Sequence, residues 1–320
     1  MSSIQTARGP VGADELGNTL AHEHIITMTS MEYVANYRDD WNTDERIDQA
    51  VAALDEAKRL GVDTIFDCTV LGLGRYVPWI QRIAARTDMN IVMATGLYTY
   101  RDVPLMFHTV GPGLAIDIDE PMTPLFVNDL EKGIAGTDVR AAFLKCAIDE
   151  PGMTPGIERV MRAVARASVE TGAPITVHTH PATRNGLDTQ RVLREEGVDL
   201  TNVVIGHSGD STDIDYLVEL ADAGSYLGMD RFGLGLGAPD RIATITTLIE
   251  RGYLEQLVIS HDAMCYTDFL PPGGLEALPD YNYRFIPTAV LPMMREAGIT
   301  DEQIDTMFRL NPQRYITGRR

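Results

Sequence analysis

The stretch APITVHTH at residues 173–180, followed by NVVIGHSG at 202–209, indicates the fold most directly. Each segment is a short apolar, β-branched run that leads to a histidine, which is typical of a buried strand with a polar side chain near its C-terminal end. The segments PGIERVMRAVARASVETG (155–172) and STDIDYLVELADAG (211–224) flank this pair and repeat apolar residues at the period of an amphipathic helix. Both end in glycine, a frequent residue just beyond a helix C-terminus. Strands and helices therefore alternate here, as in an α/β fold.

The same alternation continues along the rest of the chain. Further strand candidates are NTLAHEHI (18–25), TIFDCTV (64–70), IVMATGLY (91–98), AAFLKCAI (141–148), SYLGMDRF (225–232) and LVISHD (257–262). Further helix candidates are DERIDQAVAALDEAKRL (44–60) and PDRIATITTLIERG (239–252). Strands in this number, with polar residues at most of their C-terminal ends, predict a (β/α)8 TIM barrel with its chemistry at that face. A doubly wound open sheet also satisfies the alternation. No linker rich in proline, glycine or serine divides the chain, so we predict one domain over residues 1–320.

Composition restricts the partners of the chain. It contains 27 basic and 46 acidic residues, which give a formal net charge of −19. This charge argues against nucleic acid and against an anionic membrane surface as partners. The start MSSIQTARGP lacks the pattern of a signal peptide, and no apolar run approaches the roughly 18 residues that a membrane span needs. We therefore expect a cytoplasmic protein that binds neither nucleic acid nor membrane.

Residues that can bind a metal ion stand at the ends of several predicted strands. His22 and His24 are two positions apart, a spacing that turns both side chains to the same face of a strand. His178, His207 and Asp262 lie at the ends of the fifth, sixth and eighth predicted strands. Imidazole and carboxylate groups suit zinc, iron, cobalt or manganese. The sequence therefore predicts a metal site at the mouth of the barrel.

Lys145 and the remaining histidines leave choices open. Lys145 lies in the otherwise apolar segment FLKCAI, where an unpaired ammonium group is costly to bury. It either pairs with a carboxylate or carries a carbamate, which can bridge two metal ions. His180 shares a strand face with His178, so spacing alone does not choose between them. His261 points to the opposite face from Asp262, which suggests a structural role.

Together these motifs resemble a known family. The matching segments are AHEH (21–24), TGLYTY (95–100), FLKCA (143–147), VHTH (177–180), IGHSGD (205–210), GMDRFG (228–233) and SHDA (260–263). They resemble the phosphotriesterase family of the amidohydrolase superfamily. Within it they are most similar to the phosphotriesterase-like lactonases, which include bacterial enzymes that quench quorum signals. The resemblance extends from TARGP near the N-terminus to NPQR (311–314).

The resemblance implies a site with two divalent transition-metal ions. Zinc is the first expectation, and cobalt, iron or manganese are the alternatives. His22, His24 and Asp262 then hold the more buried ion, whereas His178 and His207 hold the more exposed one. A carbamate on Lys145, together with a hydroxide, bridges the two ions, and the family motif selects His178 over His180 as the ligand.

The resemblance also implies catalytic and substrate-binding roles. The bridging hydroxide attacks the carbonyl of a lactone, and Asp262 transfers the proton to the leaving alkoxide. Tyr98 and Arg231 line the pocket. Tyr98 donates to the developing oxyanion or to the bridging hydroxide, and Arg231 orients the lactone or holds the loops. Further predicted substrate contacts are Tyr100, Met264, Cys265 and Phe269.

The predicted substrate is an N-acyl-homoserine lactone, with slow hydrolysis of organophosphate triesters as a secondary activity. The segments 99–126 and 263–285 follow predicted strands and are candidate substrate loops. The apolar residues of the second segment, which include Tyr266, Phe269, Leu270 and Tyr281, suit an acyl chain or equally a dimer surface. The main activity could instead be that of an organophosphate phosphotriesterase, or the hydrolysis of other lactones or esters.

Two further alternatives are disfavoured by the sequence. Phosphorylated sugar lactones require a basic cluster, which segment 263–285 lacks before Arg284. A non-catalytic binding protein on this scaffold would have no need of a complete set of ligands. The family resemblance also implies a homodimer.

Overall fold

A barrel of parallel strands forms the centre of the protein. The structure is a computed structural model that describes residues 3–318. Its strands are β1 (Ser3–Thr6), β2 (Gly9–Gly12), β3 (Thr19–Glu23), β4 (Ile26–Thr27), β5 (Thr64–Asp67), β6 (Asn90–Gly96), β7 (Phe143–Ala147), β8 (Ile175–His178), β9 (Val203–Ile205), β10 (Tyr226–Met229), β11 (Leu257–Ile259) and β12 (Tyr266–Thr267). One eight-stranded sheet contains β3 and β5 to β11, and each neighbouring pair in it is parallel.

The two edge strands of this sheet, β3 and β11, meet and nearly close the barrel. The Asp262 N–H group donates a 2.9 Å hydrogen bond to the His22 carbonyl, and the His24 N–H group donates one of 2.9 Å to the Ala263 carbonyl. The predicted (β/α)8 TIM barrel is thus confirmed, and each predicted strand overlaps one strand of the barrel.

Helices connect the strands on the outside of the barrel. They are α1 (Met31–Tyr37), α2 (Thr43–Arg59), α3 (Val77–Ala84), α4 (Met122–Glu131), α5 (Pro155–Thr171), α6 (Gly186–Glu195), α7 (Ile214–Asp222), α8 (Ala238–Glu250), α9 (Leu291–Glu296), α10 (Asp301–Asp305) and α11 (Asn311–Thr317). The predicted helices at 44–60, 155–172, 211–224 and 239–252 correspond to α2, α5, α7 and α8. Gly172 follows α5 with a φ of 74°, the left-handed conformation that ends many helices and that glycine adopts without strain.

Aromatic side chains fill the barrel at the end opposite to the strand C-termini. The rings of Phe66 and Phe143 lie 5.7 Å apart, and the ring of Tyr315, from α11, lies 5.8 Å from that of Tyr226. The Tyr315 hydroxyl also lies 2.9 Å from the Thr176 hydroxyl. These buried contacts pack this end of the barrel, so its polar chemistry is confined to the strand C-termini.

Segment 263–285 is more tightly anchored than its sequence predicts. Its strand β12 pairs with β4, with Tyr266 opposite Ile26. Tyr266 is only 3% exposed, and its ring lies under the Arg46 guanidinium at 4.7 Å. Tyr281 is 7% exposed, whereas Phe269 is 47% exposed. Tyr266 and Tyr281 are therefore too buried to form the exposed dimer surface that the sequence also allowed, whereas Phe269 remains exposed.

None of the helices found between residues 3 and 318 is long and apolar enough to cross a membrane.

Candidate metal centre and active site

Three consecutive strands, β9, β10 and β11, are followed by residues with a left-handed backbone. The φ angles of His207, Arg231 and Asp262 are 61°, 61° and 59°. Such angles are uncommon for residues other than glycine, and they concentrate at functional sites. Each of these turns projects a polar side chain into the mouth of the barrel, where the three meet.

The histidines of β3 meet Lys145 and Asp262 at the centre of the mouth. His22 Nε2 lies 2.8 Å from Lys145 Nζ and 3.5 Å from Asp262 Oδ1, and His24 Nε2 lies 3.2 Å from the same oxygen. One possible ligand atom from each of His22, His207 and Asp262 falls within 4.8 Å of the others. All of these side chains are buried, so the polar groups satisfy one another in place of water.

Two further imidazoles form the outer half of the cluster. His178 Nδ1 and His207 Nε2 face each other at 2.7 Å, and their rings are perpendicular. The second nitrogen of each ring contacts a carboxylate: His178 Nε2 lies 2.5 Å from Asp149 Oδ2, and His207 Nδ1 lies 2.8 Å from Asp230 Oδ1. Because an ionised carboxylate only accepts hydrogen bonds, these contacts place each proton on the nitrogen that faces away from the other ring.

Local electrostatics set the charge states of the cluster. Burial lowers the pKa of His178 to about 4 and also lowers the pKa of His22. Burial alone would raise the pKa of Asp230 and of Asp262. The adjacent histidines, His207 foremost, instead hold both pKa values well below their usual range. At neutral pH His22, His178 and His207 are therefore neutral, and Asp230 and Asp262 are ionised, which are the states that bind metal ions.

The outer pair fits a metal ion on chemical grounds. With their protons committed to Asp149 and Asp230, His178 Nδ1 and His207 Nε2 present lone pairs to each other at 2.7 Å. Two lone pairs at this distance repel unless a cation lies beside them. Histidine ligands of metals commonly donate their other ring N–H group to a carboxylate in this manner. The donor set therefore suits a divalent transition metal.

Lys145 lacks the ion pair that one interpretation of the sequence requires. Its side chain is 1% exposed, and its Nζ atom contacts His22 Nε2 at 2.8 Å. Within residues 3–318, no carboxylate forms an ion pair with this amine. A buried amine without a counter-charge is costly. A carbamate on this nitrogen would remove the buried ammonium charge and would place an anion where metal ions could neutralise it.

A buried arginine on α8 supports the loop after β10. The Arg241 side chain is fully buried and donates to the carbonyls of Asp230, Leu234 and Leu236 at 2.8, 2.7 and 3.0 Å. It also contacts Asp210, whose other carboxylate oxygen accepts a 3.0 Å hydrogen bond from Arg231. Arg241 therefore holds the chain on both sides of Arg231 in place.

We expect Arg241→Ala to lower the free energy of unfolding by about 3 kcal/mol or more, because it leaves buried acceptors and a carboxylate without a partner. Denaturant unfolding measures this change. Arg251→Ala, at the exposed C-terminal end of α8, is the control, with an expected loss below about 1 kcal/mol. Equal losses in the two variants would show that Arg241 has no such role.

A cavity of about 390 Å³ opens onto the cluster. Its lining includes polar residues of the cluster: His24, Asp149, His178, Arg231 and Asp262. It also includes apolar side chains: Leu73, Leu234, Met264, Phe269, Leu270 and Leu278. Tyr98 and Tyr100 also contribute to the wall, and the Tyr98 ring stands perpendicular to that of His178 at 5.2 Å. The cavity thus joins a polar reaction centre to an apolar surface.

Most of the predicted substrate contacts line this cavity, but Cys265 does not. Tyr98, Tyr100, Arg231, Met264 and Phe269 do. Cys265 lines a neighbouring cavity of about 690 Å³, and its Sγ atom lies 3.5 Å from the Tyr283 hydroxyl. Met264 lines both cavities, whereas Cys265 lines only the larger one, so the structure does not bring Cys265 to the cavity beside the cluster.

The remaining histidines lie outside the cluster. His180 belongs to the turn after β8, where its backbone N–H group bonds to Asn185. His261 is fully buried between Glu23 Oε1, at 2.8 Å from its Nδ1, and the Ile286 N–H group, which donates to its Nε2 at 2.9 Å. His108 Nε2 lies 2.7 Å from the Val103 carbonyl. The structure therefore brings His178, and not His180, into the cluster.

Several carboxylates of the site were not predicted from the sequence. Asp230 directly follows β10, and Asp149 lies two residues after the end of β7, positions that could have identified them. Asp67 contacts His24 only through Thr69. It accepts a 2.6 Å hydrogen bond from the Thr69 hydroxyl, which lies 2.9 Å from His24 Nδ1. These groups fix ring orientations, and no short motif marks that role.

The barrel and the cluster at its mouth define the class of protein: a (β/α)8 barrel with histidine, aspartate and lysine side chains suited to metal ions. The sequence model of the phosphotriesterase family matches residues 2–316, and the chain belongs to that family.

Individual relatives agree with this assignment. The chain is 54% identical to a phosphotriesterase homology protein of Mycobacterium tuberculosis, over 99% of this chain and 98% of the relative. It is 37% identical to an aryldialkylphosphatase of Saccharolobus solfataricus, over 96% and 97% of the two chains. The solved structure of the phosphotriesterase from Mycobacterium tuberculosis superposes with a TM-score of 0.96 at 53% identity and covers 98% of both chains.

Proposed function

We propose that this protein is a metal-dependent lactonase that opens the ring of N-acyl-homoserine lactones. The observation that carries the proposal is the cavity, whose lining combines polar groups of the cluster with apolar side chains. A lactone carbonyl can reach His178 and Asp262 while an acyl chain lies against Leu234, Leu270 and Leu278. Because ligand sites combine apolar walls with a few convergent polar groups, an amphiphilic lactone suits this cavity.

The residues of the site have separate tasks in this reaction. Two divalent metal ions, held by His22, His24, His178, His207, Asp262 and carboxylated Lys145, supply Lewis acidity and an activated water. Asp262 accepts the proton released on attack and returns it to the leaving alkoxide. Arg231 orients this carboxylate through a 3.0 Å hydrogen bond from Nε to Oδ2. Burial holds the pKa of Tyr98 above its usual range, so its hydroxyl remains a donor for the developing oxyanion.

Phosphotriester hydrolysis is the second candidate activity. A relative at 37% identity is named an aryldialkylphosphatase, which directly favours this alternative. The same cluster would stabilise negative charge on phosphoryl oxygens as it does on a carbonyl oxygen. We rank it second because the cavity is lined by Leu73, Leu234, Leu270 and Leu278, and short alkyl groups use less of this apolar surface than an acyl chain does. Hydrolysis of other lactones or esters would use the same groups.

Initial rates on matched substrates test the proposal. Metal-loaded protein is assayed with a long-chain and a short-chain N-acyl-homoserine lactone and with an aryl dialkyl phosphate. We expect the long-chain lactone to react fastest. If only the phosphate ester is cleaved, the metal site is supported and the lactone hypothesis is excluded. If the two lactones react equally, the apolar wall does not bind the acyl chain.

Tyr98→Phe is expected to lower kcat for the lactone by about 10²-fold with little change in KM, because it removes one donor to the oxyanion. Steady-state kinetics separate the two constants. Tyr37→Phe is the control, since Tyr37 is 75% exposed and does not line this cavity, and it should retain kcat within a few-fold. Equal effects in both variants would exclude the proposed role of Tyr98.

We also propose that the chain folds as a single domain and that two such subunits form a homodimer. Segment 99–126 leaves large apolar side chains exposed, including Leu105 at 82%, Met106 at 59% and Ile116 at 55%. Exposed apolar groups that lie close together often mark a protein interface. Sedimentation equilibrium of the protein and of a Leu105→Glu/Met106→Glu variant tests this proposal, which fails if both sediment identically as monomers.

A further inference from the structure

One buried carboxylate contacts imidazoles from both halves of the cluster. Asp230 Oδ2 lies 3.1 Å from His22 Nδ1 and accepts a 3.0 Å hydrogen bond from the His207 backbone N–H group. Its Oδ1 lies 2.8 Å from His207 Nδ1. His22 belongs to β3 and His207 follows β9. In the barrel, β11 and β10 lie between these two strands, so Asp230 connects side chains from strands that are not neighbours.

Two glycines make room for this arrangement. A Cβ atom at Gly228 would lie 2.8 Å from Asp230 Oδ2, and one at Gly206 would lie 3.1 Å from His22 Cε1. Arg241 also fixes the backbone, because it donates a 2.8 Å hydrogen bond to the Asp230 carbonyl. The position of the carboxylate therefore results from several independent features of the fold.

We propose that Asp230 is a positioning residue that fixes the tautomers of His22 and His207 and thereby couples the two metal positions. A carboxylate only accepts hydrogen bonds, so both rings must carry their protons on Nδ1. The lone pair of each ring is then on Nε2, the atom that faces the cluster. Because His22 and His207 belong to different metal positions, one carboxylate prepares a ligand for each. This inference rests on the metal binding proposed above but not on the lactone substrate.

The Asp230→Asn variant distinguishes the two oxygen positions. The amide oxygen must take the place of Oδ2, because the backbone N–H group of His207 donates there and cannot reverse. The amide NH₂ group then faces His207 Nδ1. His207 must accept at Nδ1 and move its proton to Nε2, which blocks that nitrogen as a ligand, whereas His22 keeps its tautomer. We therefore expect selective loss of the metal held by His178 and His207.

Metal content and ring protonation are both measured. Wild-type protein equilibrated with limiting free zinc should hold two ions per chain and the variant about one, with the affinity of the lost ion reduced roughly 10–100-fold. Nitrogen-15 correlation spectra of the imidazoles in metal-free protein give a second readout. The His207 ring should carry its proton on Nδ1 in the wild type and on Nε2 in the variant.

Two further variants complete the test. Asp129→Asn is the matched control, because Asp129 is equally a buried carboxylate but bonds to Thr95 and Arg75 instead of a histidine. It should hold two ions. Gly228→Ala keeps the Asp230 charge but displaces Oδ2, and should also weaken metal binding. If Asp230→Asn and Gly228→Ala bind two ions like the control, the inference on Asp230 is wrong. If the wild-type protein binds no metal, both this inference and the proposed metal-dependent function are wrong. If the wild-type protein binds two ions but does not hydrolyse lactones, only the proposed substrate is wrong.

Discussion

Asp262→Asn is expected to lower kcat/KM for the preferred substrate by about 10³-fold, since it removes both a metal ligand and the proton acceptor. In the structure, Asp262 Oδ1 lies 3.2 Å from His24 Nε2, and Oδ2 accepts a 3.0 Å hydrogen bond from Arg231. An amide cannot accept the reaction proton at neutral pH. Its NH₂ group would also replace a carboxylate oxygen with a group that cannot bind a metal ion. The lost activity should therefore be accompanied by a loss of bound metal.

Asparagine is a suitable replacement because it should preserve the fold. Residue 262 has a φ of 59°, and asparagine and aspartate tolerate this left-handed conformation better than most residues. The backbone N–H group still donates to the His22 carbonyl, and the Tyr281 hydroxyl still donates to the carbonyl of residue 262. Thermal unfolding of the metal-free proteins should show this, with closely similar midpoints for wild type and variant.

Asp210→Asn provides the matched control for Asp262→Asn. Asp210 is the other carboxylate that binds Arg231, at 3.0 Å, but its oxygens contact only arginine side chains. Its replacement disturbs Arg231 without removing a candidate ligand, so we expect a loss of activity at least tenfold smaller. If Asp262→Asn retains activity within tenfold of the wild type, Asp262 is neither the proton acceptor nor a required ligand.

Sequence patterns predicted the parts of this site that depend on local order. The spacing of His22 and His24 predicts a shared face, and both do contact Asp262. Strand ends were predicted too far along the chain, however. The segment 202–209 forms a strand only over Val203–Ile205, because the backbone turns to positive φ at His207. Hydrophobic period and strand propensity indicate where the backbone is extended. They do not mark the residue at which a functional turn ends the strand.

Contacts between distant segments were beyond the reach of such patterns. Asp230 lies within the quoted motif GMDRFG, yet its role depends on His22, which is 208 positions away in the sequence. The same limitation explains Tyr266, whose burial results from pairing with β4 and packing under Arg46. An apolar loop residue has the same sequence signature whether it lines a cavity or anchors the loop beneath it.

Lys145→Ala is expected to reduce activity by more than the roughly 10–100-fold that loss of an outer partner of a metal ligand costs. Lys145 is closer to the centre than any such partner, with its Nζ atom 2.8 Å from His22 Nε2. If the amine carries a carbamate, the variant lacks a bridging anion and should bind less metal. It also leaves a buried cavity in the shape of the lost side chain.

Short carboxylic acids distinguish a carbamate from an ordinary amine. A small carboxylate can enter the cavity left in Lys145→Ala and supply the two oxygens of the carbamate, so acetate or propionate should restore part of the activity and of the metal content. Lys145→Met is the matched control, because its side chain fills the same space and leaves no room for the acid. Rescue by small amines, with none by carboxylates, would show that an unmodified lysine acts at this position. Full activity of Lys145→Ala without additives would remove Lys145 from the metal centre altogether.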